Sequence, residues 1–148
     1  MIMKNKRGFV SIGLKNPKFN VNVGGVMRAC GCYSSDLIII EGERYSHSKA
    51  DTQKVFKHIP VIHVDDLVKS KPFKSKIVAV ELSDKASDLR FFNHPERAYY
   101  IFGPEDGSLT EEDINRADYR VFVPTSFCMN LAATVNVVLY DRMLKRTK

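Results

Sequence analysis

Tyr99-Tyr100-Ile101-Phe102-Gly103-Pro104-Glu105-Asp106-Gly107-Ser108-Leu109 is the stretch on which the reading of this chain turns. An apolar run stops at a glycine, a proline and two acids, and a polar, helix-like segment begins at Thr110. A buried strand that empties into a Gly/Pro loop ahead of a helix is how α/β folds build ligand sites, because the carboxyl ends of parallel strands share one rim. Gly103 would let a backbone group meet a flat, adenine-like ligand, and Glu105 could accept a hydrogen bond from the loop or from a helix N-terminus. A turn with a capping acid has the same composition, so the loop alone leaves both readings open.

The strand–loop–helix alternation extends to both sides of this stretch. The pattern predicts strands over 9–14, 37–40, 59–64, 77–80, 98–102 and 119–123, the last ended by Pro124. Leu37-Ile38-Ile39-Ile40 is apolar at every position, as a strand covered on both faces must be. Helices are expected over 23–32, 49–57 and 65–69, and from Thr110, whose hydroxyl and following acids suit the positive end of a helix dipole. In 130–145, Leu131, Val135, Val138, Leu139 and Met143 recur at helical spacing, and basic residues fill the last turns. The expected fold is α/β, with a mostly parallel sheet of about six strands in a single domain over 1–148.

With 148 residues, 44% hydrophobic and 27% charged, the composition is that of an ordinary globular protein. No apolar run approaches the roughly 20 residues of a membrane span, and the basic N-terminus lacks a signal-like apolar block. The expected location is the cytoplasm, with no membrane partner. Cys30, Cys32 and Cys128 are read as reduced thiols, since Cys30-Gly31-Cys32 lacks the spacing of a zinc site. His47, His58, His63 and His94 are scattered, and no metal is expected. The net charge of +6 suits a polyanionic partner. Its lysines and arginines are dispersed, in 4–7, 15–18, 69–76 and 142–148, so folding or subunit pairing must assemble any patch; the terminal runs suit solvated tails equally well.

Two further segments stand out. Asn22-Val23-Gly24-Gly25-Val26-Met27-Arg28 reads as a strand-to-helix junction. Its glycines would allow close approach, and Arg28 lies one turn beyond Gly24, where a guanidinium adds two-pronged anion recognition. Packing glycines beside a surface arginine are the bland alternative. In Ser126-Phe127-Cys128-Met129-Asn130-Leu131-Ala132-Ala133-Thr134-Val135, Asn130 is a natural helix N-cap. Ala132, Ala133 and Thr134 let something pack close, whether a chain segment, a second subunit or a ligand.

In this order the three segments resemble the three motifs of the SpoU/TrmH branch of the SPOUT RNA methyltransferases, over about residues 7 to 146. Asn22, Gly24 and Arg28 match its N-x-G-x-x-x-R; Phe102, Gly103, Glu105 and Leu109 match its F-G-x-E-x-x-G-L; Val123-Pro124, Met129-Asn130-Leu131 and Val135 match its third motif. Ser108 stands where that family has glycine, Cys128 and Ala132 where it has serines, and Thr134 where it has alanine. The resemblance implies transfer of methyl from S-adenosylmethionine, leaving S-adenosylhomocysteine, to a ribose 2′-hydroxyl of tRNA or rRNA, with tRNA favoured and no DNA partner. It implies an α/β-knot fold with a C-terminal trefoil and a homodimer. Val80, Gly103, Val123, Cys128 and Leu131 would hold the cofactor, and Arg28, Asn22, Glu105 and Asn130 would form the catalytic set. A guanidinium holds its proton above pH ~12, so Arg28 is expected to orient ribose and phosphate, while Glu105 and Asn130 keep loops and ribose in register. The departures motivate one alternative, a SPOUT protein that binds RNA without catalysis. A base-methylating relative is a second, against which the Asn22/Gly24/Arg28 triplet argues.

Overall fold

The computed structural model describes residues 7–44, 54 and 57–147. In it, β1 (Phe9–Lys15) leads through α1 (Asn20–Cys32) to β2 (Leu37–Glu41) and β3 (Val61–Val64). β4 (Lys76–Val80), β5 (Ser87–Asp88), β6 (Arg97–Phe102), α2 (Glu111–Arg116), β7 (Tyr119–Phe122) and α3 (Leu131–Arg146) follow. The strands form one sheet in the order β3-β2-β1-β6-β4-β7-β5, and every pairing is parallel. The chain builds outward from β1 to β3, then inserts β6 between β1 and β4 and β7 between β4 and β5.

The apolar strands are buried as their composition requires. Ile12, Ile38, Ile39, Ile40, Val78, Ala79, Tyr99 and Tyr100 are fully enclosed. One core cluster joins α1 and α3 to one face of the sheet, and a second, with Leu67, Leu109, Ile114 and Ala117, covers the other. The two buried phenols find partners, as buried tyrosines do: Tyr99 donates to the Leu67 carbonyl at 2.8 Å, and Tyr100 meets His94 at 2.6 Å.

Three details differ from the sequence reading. The sheet has seven strands because Ser87–Asp88 pairs with β7, and two residues are too few to show a pattern. The 65–69 segment is a run of turns closed by Ser70 N–H to the Asp66 carbonyl and Lys71 N–H to the Val68 carbonyl. α1 opens at Asn20, three residues earlier than its pattern indicated. The helix expected over 49–57 lies almost wholly outside the described residues. The C-terminal basic run is no free tail: buried Arg142 donates to the carbonyls of Pro95 (2.6 Å) and Glu96 (2.8 Å), Lys145 to those of Leu89 and Phe92, and Arg146 to that of His94 (3.4 Å). These cations fasten α3 to the segment ahead of β6.

His94 sits inside that fastening. Its Nε2 lies 2.7 Å from Asp141 and its Nδ1 2.6 Å from the Tyr100 hydroxyl, which accepts from Arg142 at 3.2 Å. A neutral ring protonated on Nε2 satisfies all three contacts. Burial, the largest influence, pushes its pKa down to about 4 against the opposing pull of Asp141. In the unfolded chain the ring titrates near 6.5, so as pH falls the unfolded state takes up the proton first. The stability carried by the neutral ring is complete above pH ~6.5 and is lost progressively down to about pH 4, a span of at most roughly 3 kcal/mol. Denaturant midpoints should therefore fall between pH 7.5 and 4.5, and His94→Gln should flatten that dependence; equal slopes would remove His94 from the acid response.

Candidate functional site

Pairing register assembles the site. Val80, the last residue of β4, lies level with Phe102 of β6 on one side and Val121 of β7 on the other. Three loops, 81–86, 103–109 and 123–130, therefore leave one rim side by side. Val80, Phe102, Val121 and Leu131 share a core cluster against which Val123 packs. The expected cofactor residues Val80, Gly103, Val123 and Leu131 thus come together at the carboxyl edge of adjacent strands.

Gly103 has a local reason to be glycine. A Cβ there would lie 2.7 Å from the Leu109 nitrogen and 2.8 Å from the Ser108 carbonyl carbon, because the loop folds back on its own start. Its far end is held twice, by the buried Leu109 side chain and by the Leu109 N–H, which donates to Glu81 Oε2 at 3.2 Å. Glu81 also hydrogen-bonds β7, its N–H donating to the Val121 carbonyl at 3.0 Å. Burial raises the Glu81 carboxyl above its ordinary range, and the Leu109 N–H opposes that. Glu81 escaped the sequence reading, since one acid after an apolar strand carries no spacing signal.

The second motif is tied to the approach to the first. Glu105 accepts the Lys18 N–H at 2.8 Å, a contact between residues 87 positions apart. Next to it, Arg44 grips Asp106 with two bonds of 2.8 and 2.9 Å and donates to the Asn16 carbonyl at 2.6 Å. Asn16 turns the chain in the left-handed region, at φ 45°. The Arg44 guanidinium holds the Asp106 carboxyl down at about 2. The loops after β1, β2 and β6 are thereby latched into one rim, and Arg44 and Asp106 are a second pair that no sequence pattern marked.

α1 and α3 carry the rest. A Cβ on Gly25 would lie 2.7 Å from Ala132 Cβ, so it is a chain segment, α1, that packs close to the small residues of the third motif. Asn130 caps α3, accepting the Ala133 N–H at 2.8 Å, and Cys128 is exposed on the loop before it. Asn22 falls in the first turn of α1, where its N–H donates to the Phe19 carbonyl at 3.1 Å. Arg28 is exposed, eight residues beyond Asn20, about 12 Å along the helix.

The corner has the chemistry for a nucleoside-bearing ligand. Exposed apolar side chains, Leu82 at 79% and Phe127 at 87%, stand on two of its loops. Ser83 Oγ and Glu105 Oε1 are buried there without a hydrogen-bond partner. A flat heterocycle flanked by hydroxyl groups matches apolar surface beside unsatisfied polar atoms.

Known proteins resemble this chain in sequence and in fold. Residues 10–140 match the model of the SpoU rRNA methylase family. The tRNA (cytidine-2′-O-)-methyltransferase TrmJ of Methanocaldococcus jannaschii is 26% identical over 164 aligned positions, which take in 94% of this chain and 69% of that one. An AdoMet-bound rRNA methyltransferase from Sinorhizobium meliloti superposes with a TM-score of 0.84 at 19% identity, covering 96% of this chain. The chain spans only 58% of that protein's length. A structure concerned with 2-OH methylation of C/U34 on tRNA aligns at a TM-score of 0.79 and 19% identity, over 96% of this chain and 93% of its own.

Proposed function

The chain belongs to the SpoU rRNA methylase family, and from that premise we propose that it is an S-adenosylmethionine-dependent RNA 2′-O-ribose methyltransferase acting on tRNA. The observation that carries the reading is the convergence of three segments far apart in sequence. Glu105 of the second motif bonds the chain entering the first, and Gly25 of the first touches Ala132 of the third. That contact explains why position 25 is glycine, since a Cβ there would meet the Cβ of residue 132.

In this reading Val80, Gly103, Val123, Cys128 and Leu131 hold the cofactor at the loop corner. When bound, S-adenosylmethionine supplies a methyl group on a sulfonium that leaves as a neutral thioether. The ribose hydroxyl that takes this methyl would give up its proton to phosphate or water. A guanidinium is unsuited to act as a base, so Arg28 clamps ribose and phosphate with the oxygen in line. Such alignment supplies a large share of the rate when the leaving group is already activated. Asn22 assists at the ribose, and Glu105 and Asn130 hold the two loops in place.

The working unit is a homodimer, with Arg28 serving the partner's corner. Two features support this. Val21, Arg28 and Cys32 are exposed and recur at helical spacing along α1. Val137, Tyr140 and Leu144 form an exposed apolar stripe on the neighbouring helix α3. A C-terminal trefoil knot belongs to the same proposal, and the insertion of β7 between β4 and β5, which the 81–86 link joins, supports it. The chain acts as one methyltransferase domain, in the cytoplasm where tRNA is found.

The test is to incubate the purified protein with unmodified bulk tRNA and methyl-labelled donor, then digest to nucleosides for mass spectrometry. Label is expected on ribose. Label on a base would replace the ribose assignment. No measurable donor binding by calorimetry would favour a relative that binds RNA without catalysis.

A further inference from the structure

At the end of the sheet opposite the loop corner, Lys69, Lys71, Lys74 and Lys76 flank a single aromatic residue, Phe73, along the chain. All five are exposed, Phe73 to 79%. They lie on the segment that enters β4 at Lys76, level with Ala98 at the start of β6. The segment is held in shape. Ser75 N–H donates to the Pro72 carbonyl at 3.0 Å, closing a turn in which Lys74 adopts φ 60°, a conformation that lysine rarely takes. Arg97 donates twice to the Phe73 carbonyl, at 3.1 and 2.9 Å, and its guanidinium lies 4.8 Å from the centre of the Phe9 ring. The Lys74 ammonium stands 5.4 Å from the centre of the Phe73 ring. Strained backbone fixed by a dedicated arginine holds an aromatic ring out in water, where packing gains nothing from it.

The nearby carboxylates are engaged elsewhere. Asp66 accepts the Lys69 N–H at 3.0 Å and pairs with Arg116 at 3.5 Å, Asp118 accepts the Ile77 N–H at 2.8 Å, and Glu96 pairs with Arg7 at 3.6 Å. Among the described residues, no carboxylate pairs with Lys71, Lys74 or Lys76. Unneutralised ammonium groups on one short turn, with that of Lys74 beside the ring, complement phosphates around one base.

We infer that the 69–76 turn is a second RNA-contact surface that takes an unpaired nucleotide, with Phe73 stacked on the base and Lys71, Lys74 and Lys76 on the flanking phosphates. A duplex hides its base faces, so a ring of this kind engages a loop, bulge or end. β4 separates the turn from the loop corner by about 13 Å, so an RNA strand several nucleotides long reaches both. The inference rests on the RNA substrate proposed above, though not on methyl transfer.

Fluorescence anisotropy of the full chain tests it, with a labelled 12-nucleotide oligouridylate and with bulk tRNA as probes. Phe73→Ala should weaken binding of both about tenfold at fixed salt, and Phe73→Trp should restore it. The double variant Lys71→Ala/Lys76→Ala should lower the salt slope by about one or more. Because these side chains are exposed, thermal unfolding should stay unchanged and serve as the control. Unaltered affinity in Phe73→Ala overturns the proposal, as does a parent protein that binds neither probe. Phe73-dependent binding to phosphatidylserine vesicles without Phe73-dependent RNA binding overturns it in favour of a membrane contact. If RNA affinity falls as expected in a protein that methylates no RNA, the surface stands and the enzymatic reading fails. If tRNA is methylated with the same KM by parent and Phe73→Ala, the reverse holds.

Discussion

Arg28→Ala should yield a folded protein that binds S-adenosylmethionine within about twofold of the parent, yet transfers methyl at least about a hundredfold more slowly. The first half follows from what Arg28 does in the chain. It is exposed, and among the described residues no hydrogen bond or ion pair holds it; alanine is moreover the best helix former. Removing such a side chain alters stability by a few tenths of a kcal/mol at most, as surface changes away from special features do. The second half follows from chemistry. A planar guanidinium can fix a phosphate and a hydroxyl together, and loss of that alignment of oxygen and methyl group costs two orders of magnitude or more. Arg28→Lys should recover little, because a single ammonium lacks the two-pronged geometry. Calorimetry with the donor and single-turnover transfer to tRNA separate the halves. Near-parental transfer by Arg28→Ala would take Arg28 out of the mechanism, and a collapse of donor affinity would move it into the cofactor pocket.

Local signals in the sequence and non-local ones fared differently. Leu37 to Ile40, Ile77 to Val80 and Ala98 to Phe102 announce covered strands because burial on both faces demands an unbroken apolar run, and each is found in the sheet. Thr110 and Asn130 announce helix starts because capping is a bond between near neighbours, and both side chains accept the expected N–H. The order of the strands was not legible: nothing in the residues of β6 or β7 says that each inserts between strands already laid down. Nor were the latches between loops. Lys18 meets Glu105 across 87 positions and Arg44 meets Asp106 across 62, through contacts with no periodicity to detect them. The start of α1 was misjudged for a similar reason. Asn20 and Val21 lie outside the apolar stripe, and no side chain caps the helix to mark its first turn. At the C-terminus, Arg142, Lys145 and Arg146 look like a solvated run by composition, and only the fold supplies the carbonyls that bind them.

Gly103→Val should abolish measurable donor binding, by at least about fiftyfold, while the sheet stays folded. A Cβ at this position meets main-chain atoms, the Leu109 nitrogen at 2.7 Å and the Ser108 carbonyl carbon at 2.8 Å, closer than such atoms approach one another. Neither can yield cheaply. Leu109 is buried in the second core cluster, and its N–H is held by Glu81, itself fastened to β7. The strain therefore leaves through the loop, moving 103–108 away from the ends of β4 and β7 and breaking up the corner. Gly103→Ala carries the same clash without the branched bulk, so it should lose affinity as well, to a smaller extent. The overall cost to stability should be that of local overpacking, about 1–3 kcal/mol, because β6 itself is untouched. A denaturant midpoint measured beside the calorimetric titration shows that lost binding is not lost folding. The two variants also complement each other if Arg28 works across a dimer. A mixed pair of one Arg28→Ala chain and one Gly103→Val chain keeps one intact corner faced by one intact arginine. Equal mixing of two inactive proteins, after dissociation and reassociation, should then restore roughly a quarter of the parental rate. No recovery from verified mixed dimers would put Arg28 and the Gly103 loop in the same chain's site, and unchanged donor affinity in Gly103→Val would put the pocket elsewhere.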